Sequence, residues 1–208
     1  MEHVVTSAVV AFGALLPIVD PIGNVPAFLG LAAGLDDGQR RRQAALATLF
    51  AAVLLVVFFS LGSYLLTLFH VSLAAVEAVG GLVIGYSGWR MLTEDVTVDA
   101  TRQPLGDDDI AFYPMAFPLL AGPGALALSL GLTNRHDSPL DYVGWAVGIV
   151  AICLVCYVAL RLAVPLSRRL GPRGIMVVSR LMGLLVLAIG AEMVFNGIAD
   201  EFNLTVTG

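Results

Sequence analysis

Apolar positions in this chain fall in long unbroken blocks, with neither the three-to-four spacing of a surface helix nor the alternation of a half-buried strand. Uncharged runs occupy residues 44–69, 110–134 and 142–160, each at or above the roughly 17–25 residues that cross a hydrocarbon core about 30 Å thick. Two further blocks, 71–89 and 181–199, contain one acid each, Glu77 and Glu192. A sixth, residues 4–35, is interrupted only by Asp20. As one straight helix it would be roughly 48 Å long, so it must tilt, bend or break. The pattern predicts an all-α membrane protein with six transmembrane helices.

Composition agrees, with 58% hydrophobic and 13% charged residues against about 25% charged in soluble domains. No cleavable leader is expected, since Glu2 and His3 stand where a basic region would be. All 11 basic residues are arginine. With six crossings, the loops predicted at 35–43, 90–109 and 161–180 share one side and hold ten of them, leaving Arg135 on the other. By the positive-inside rule the ten are cytoplasmic and both termini lie outside. The expected location is the cell (inner) membrane, with the lipid bilayer as surroundings.

The segment "PIVDPIGNVPAFLGL" (17–31) overlays "PLLAGPGALALSLGL" (118–132) without a gap, with identities at Pro17/Pro118, Gly23/Gly124, Leu29/Leu130, Gly30/Gly131 and Leu31/Leu132. Further on, "GLVIGYSGWRM" (81–91) matches "GLLVLAIGAEM" (183–193). The chain therefore divides into two three-helix repeats, 1–92 and 110–208, joined by a polar cytoplasmic linker at 93–109. Three crossings per half is an odd number, which makes this a 3+3 inverted repeat with helices 1 and 4 broken near the membrane interior. Re-entrant hairpins at the two breaks would leave four crossings and divide the arginines six against five, so broken but crossing helices fit the charge bias better.

Proline in a helix removes a backbone hydrogen bond, and polar backbone freed inside lipid is tolerated only where protein or a watery cavity surrounds it. The breaks should therefore face inward and form a substrate site from Asp20, Pro21, Gly23 and Asn24 in the first half and Ala121, Gly122, Pro123, Gly124 and Ala125 in the second. Half-helix N-termini near Gly23–Asn24 and Gly124–Ala125 would offer N–H groups to a small carboxylate. Asp20 has two compatible readings. It caps the second half-helix ahead of Pro21, and it meets a substrate ammonium or carries a coupling proton or sodium ion. Glu192 is the second candidate for coupling, whereas Glu77 lies near the outer loop and is expected to snorkel to the interface.

Gly80, Gly81, Gly85, Gly88, Gly183 and Gly190 are expected at close helix contacts. Cys153 and Cys156 read as small buried residues, and Trp89 with Arg90 as anchors at the membrane edge. His3, His70 and His136 match no metal-ligand spacing. No nucleotide-binding loop and no nucleophile with a base are present. No catalytic residue, metal, cofactor or nucleic-acid partner is expected, and the chain does not read as an enzyme.

The motifs "DPIGNVPAFLGL" (20–31), "GGLVIGYSGWRML" (80–92), "PLLAGPGA" (118–125) and "SRLMGLLVLAIGAEMVFNGI" (179–198), in this order, resemble the MarC family of integral membrane proteins over nearly the whole chain. The resemblance implies six membrane-spanning helices and, for some members, transport of glycine, alanine and similar amino acids. Asp20, Pro21, Gly23 and Asn24 match the family's first motif, and Pro118, Gly122, Pro123 and Gly124 its second. The leading expectation is a secondary transporter, importer or exporter, of small neutral amino acids by alternating access. A passive channel for small solutes and a non-transporting membrane assembly partner are the other readings, and oligomeric state is left open.

Overall fold

The computed structural model of the protein describes residues 2–93, 110–132 and 139–202. The linker expected at 93–109 falls outside these residues except for Thr93. Regular structure among the described residues is helical throughout.

The first apolar block forms α1 (Glu2–Val19) and α2 (Asn24–Leu31), bent by 56° at a break of a few residues. Pro17 lies inside α1 and offers no N–H to the preceding turn. Asp20 then takes φ 40, a left-handed conformation that aspartate tolerates better than most residues with a side chain. Helix α2 therefore begins at Asn24, later than the start at Pro21 that the cap pattern suggests.

Helix α3 (Asp37–Phe69) opens with a reciprocal cap. Gln39 N–H donates to Asp36 Oδ1 at 2.8 Å, and Asp36 N–H donates to Gln39 Oε1 at 2.9 Å. It ends at His70, φ 52. Ser72 Oγ accepts the Ala75 N–H at 3.1 Å and starts α4 (Leu73–Thr93).

The second half opens with a π-helical segment (Ala111–Leu120), followed by α5 (Pro123–Leu132) at a bend of 64°. Tyr113 and Phe117 inside the segment are extended, with ψ 126 at each. Both immediately precede a proline, Pro114 and Pro118, whose ring disfavours helical backbone in the residue before it. The wound turns are correspondingly wide, with Met115 N–H reaching Ile110 O at 3.3 Å and Ala121 N–H reaching Ala116 O at 2.8 Å. Helices α6 (Pro139–Arg161) and α7 (Ala163–Glu201) follow, with only Leu162 between them.

Two of the loops expected from the arginine runs are largely helical. Arg40, Arg41 and Arg42 lie in the first turns of α3, because the Asp36 cap starts the helix before them. Residues 161–180 belong to the end of α6 and to α7, which breaks only where Gly171 takes φ 64 and ψ 172 ahead of Pro172.

Each long helix of the first half packs mainly on helices of the second. Helix α1 lies against α6, α3 against the π-helical segment, α5 and α6, and α4 against α7 and α5. Glycines set the closest approaches, as expected for Gly81, Gly88, Gly183 and Gly190. A β-carbon on Gly81 would stand 2.5 Å from Gly190 O, and one on Gly88 would stand 2.5 Å from Leu187 N and 2.7 Å from Gly183 O. On the other side of the molecule, Gly144 and Gly148 of α6 admit Ser7, Ala8 and Ala11 of α1. Ser7 Oγ also donates to Asp141 Oδ1 at 2.8 Å.

Three helical stretches are long and apolar enough to cross a membrane, Asp37–Gly62, Leu140–Arg161 and Ala163–Glu201, and up to five spans result if each bent pair is one. The block expected as the remaining crossing, 71–89, does form a helix, α4, but is not among these spans. Glu77, Arg90 and several glycines dilute its apolar content.

A candidate substrate site where the two helix breaks meet

At the first break, Asp20 is buried at 7% exposure and its Oδ1 accepts the Gly23 N–H at 3.0 Å. The aspartate thus closes the turn over residues 21–23 rather than capping α2, whose N-cap position is Gly23. Asn24 N–H donates to Asp20 O at 3.1 Å, and Val25 N–H to Ile22 O at 3.1 Å. The amides expected to greet an anion near Gly23 and Asn24 are therefore already spent. The Asn24 side chain is engaged as well, its Nδ2 donating to Val19 O at 2.7 Å and to Asp20 O at 3.2 Å. Pro17 and Pro21 are buried beside this turn.

The second break differs. Pro123 has no N–H, and Leu126 N–H closes onto Gly122 O at 3.0 Å. Between them, the amides of Gly124 and Ala125 meet no backbone acceptor among the described residues. Gly124, Ala125 and Ala121 are buried, Gly122 is half-buried and Pro123 is exposed, so Pro123 stands apart from the others. Gly124 also marks where the breaks meet. A β-carbon there would stand 2.8 Å from Ile84 Cγ1 of α4 and 3.6 Å from Ile18 Cγ2 of α1, two residues before Asp20. The first break thus holds a carboxylate and the second a pair of unspent amides at the start of a helix, with Ile18 of α1 near Gly124 of α5.

One neighbour of Asp20 escaped the sequence reading. Ser179 of α7 is 1% exposed, and its hydroxyl lies against the Asp20 carboxyl. That contact falls short of hydrogen-bond geometry, which leaves Ser179 Oγ without a partner. Gly23 keeps this corner open, since a β-carbon there would sit 2.6 Å from Ser179 Oγ and collide with the Asp20 carboxyl. Cys153 and Cys156 of α6 are buried free thiols. The only sequence signal for Ser179 is its place at the head of the "SRLMG" motif.

The two remaining acids exchange the surroundings expected of them. Glu77, placed at the interface by its position in the chain, is 2% exposed on the face of α4 that carries Gly80, Gly81, Ile84 and Gly88. Glu192, the deeper candidate by position, is exposed on α7. Helix rotation decides this, because Glu77 is three residues from Gly80 and so shares its packed face. Among the described residues no group of three or more His, Cys, Asp and Glu is arranged to hold a metal ion.

The sequence profile of the MarC family of integral membrane proteins matches residues 5–202. The chain belongs to this family. It is similar to proteins named inner membrane protein MarC from Citrobacter koseri, 29% identical over 201 residues, and from Salmonella paratyphi B, 30% identical over 203 residues. Each alignment covers 89% of this chain and 91% of the relative. The corresponding protein of Escherichia coli O139:H28 is 28% identical over 201 residues, with the same coverage. No solved structure matches the chain. As a MarC-family protein it is an integral membrane protein, and both breaks lie within the matched region.

Proposed function

We propose that this MarC-family protein is a secondary transporter of small neutral amino acids such as glycine and alanine, working by alternating access in the cell inner membrane. The location rests on the names of its relatives and on its apolar helices. The observation that carries the reading is the meeting of two unlike breaks at Ile18 and Gly124. A zwitterion has one positive and one negative end a few ångströms apart, and the breaks offer Asp20 to the first and the Gly124 and Ala125 amides to the second. The residues around the breaks are mostly buried and apolar, which suits a substrate with a small neutral side chain.

Packing supports the six-crossing inverted repeat on which alternating access depends. The first helix of each half lies on the second helix of the other, α1 on α6 and α5 on α3, while the third helices, α4 and α7, lie on each other. Such an exchange is what a two-fold axis in the membrane plane produces. Asp20 is the group to which a coupling proton or sodium ion is assigned. Glu192, exposed on α7, is left without a coupling role.

The test is counterflow of labelled glycine in proteoliposomes. Saturable exchange against internal glycine or alanine is expected, lost when Gly124→Val fills the approach to the α5 amides. Absence of saturable flux of either amino acid, under both proton and sodium gradients, would overturn the proposal. A passive pore would instead give flux without exchange.

A further inference from the structure

We infer that the Asp20 carboxyl and the Ser179 hydroxyl form a subsite for one compact monovalent cation at the first break. The inference deepens the transport reading and rests on it for the subsite's biological use, though not for its chemistry.

A carboxylate at 7% exposure carries a charge that must be met by an opposite charge or lost. No ion pair to Asp20 forms among the described residues, where its carboxyl accepts one hydrogen bond, from the Gly23 N–H, and the Ser179 hydroxyl lies beside it without bonding. Oδ1 is taken by the amide, which leaves Oδ2 facing Ser179 across Gly23. The serine independently points to a ligand. Its oxygen is buried, has no hydrogen-bond partner and stands against the carboxyl. Leaving such a group unmet costs on the order of 1–3 kcal/mol, and a cation between the two oxygens removes both deficits at once.

Charge and size narrow the ligand. One carboxylate balances one positive charge, and the absence of a His, Cys, Asp and Glu cluster among the described residues removes the donors that transition metals prefer. Both oxygens belong to buried side chains, at 7% and 1% exposure, which favours a compact cation over a bulky quaternary ammonium. An alkali ion and a primary ammonium share the required chemistry, the first as a coupling ion and the second as the amino end of a substrate.

The subsite also joins two interrupted elements. Asp20 belongs to the α1–α2 break, while Ser179 lies on α7 eight residues beyond the Gly171 break. Filling it ties the first half's broken helix to the second half's longest one.

The full-length protein in detergent would be titrated with sodium, methylammonium, choline and glycine at constant ionic strength, with thermal unfolding and calorimetry as readouts. Saturable stabilisation by sodium or methylammonium, but not choline, is expected. Ser179→Ala should weaken it about tenfold, and Asp20→Asn should abolish it. Should Asp20→Asn fail to fold, Ser179→Ala decides by itself, since it removes one hydroxyl and adds nothing. A response to sodium alone assigns the subsite to a coupling ion, and a response to methylammonium and glycine assigns it to the substrate. Stabilisation by neither cation, or unchanged affinity in Ser179→Ala, overturns the inference. Saturable glycine counterflow that is indifferent to Ser179→Ala would sink the subsite and leave transport standing, whereas cation binding without flux would do the reverse.

Discussion

The Asn24 side chain closes the end of α1 by donating to Val19 O and Asp20 O at 2.7 and 3.2 Å, which binds the break together from within. Asn24→Asp keeps the shape and removes both side-chain donors, taking from Val19 O its Asn24 partner while Asp20 O keeps the Asn24 N–H. Unfolding in detergent should show a loss of about 1–3 kcal/mol; an unchanged midpoint would mean that the bonds contribute nothing. Asp20 was legible in the sequence, because a lone acid in an apolar block advertises its cost. Its partner was not. Serine is ordinary in membrane helices, and only its place at the head of the "SRLMG" motif marks Ser179, without indicating any contact with Asp20. The spent amides of α2 were equally hidden, since the positive φ of Asp20 decides where that helix begins.

Among helices, the α4–α7 contact can be tested with built-in controls. Gly81→Leu or Gly190→Leu would drive a side chain into the facing backbone, and a large fall in the yield of folded protein is expected. A β-carbon on Gly13 or Gly30 meets nothing within 4 Å, so Gly13→Leu and Gly30→Leu should express like the parent. Equal losses at all four positions would indicate a general intolerance of bulk. Gly171 supplies a second element-scale test, because its φ 64 and ψ 172 suit glycine almost alone. Gly171→Ala should lower stability by about 1–3 kcal/mol, read from the unfolding midpoint. Block length and proline spacing announced the broken helices, and glycine spacing announced the α4–α7 seam. The helical state of residues 161–180 went unseen because polar arginines there resemble a loop, although arginine is a good helix former. The burial of Glu77 depended on how α4 is rotated, which chain position does not reveal.

For the molecule as a whole, the proposed six-crossing arrangement with its arginines inside predicts external termini and an internal linker. Tags at either end should react with an impermeant reagent in intact cells, while a single cysteine placed in the linker should react only after the membrane is opened. The reverse labelling would invert the assignment. The packing has a further consequence for biogenesis. Among the described residues, α1, α3 and α4 share no substantial contact with one another, and their main neighbours all come from beyond residue 110. A nascent chain stopped at the linker would hold three unassociated rods, each with a bare seam and no mate. The ribosome must finish before the protein can close, and the last helix made, α7, is the one that α4 has been waiting for.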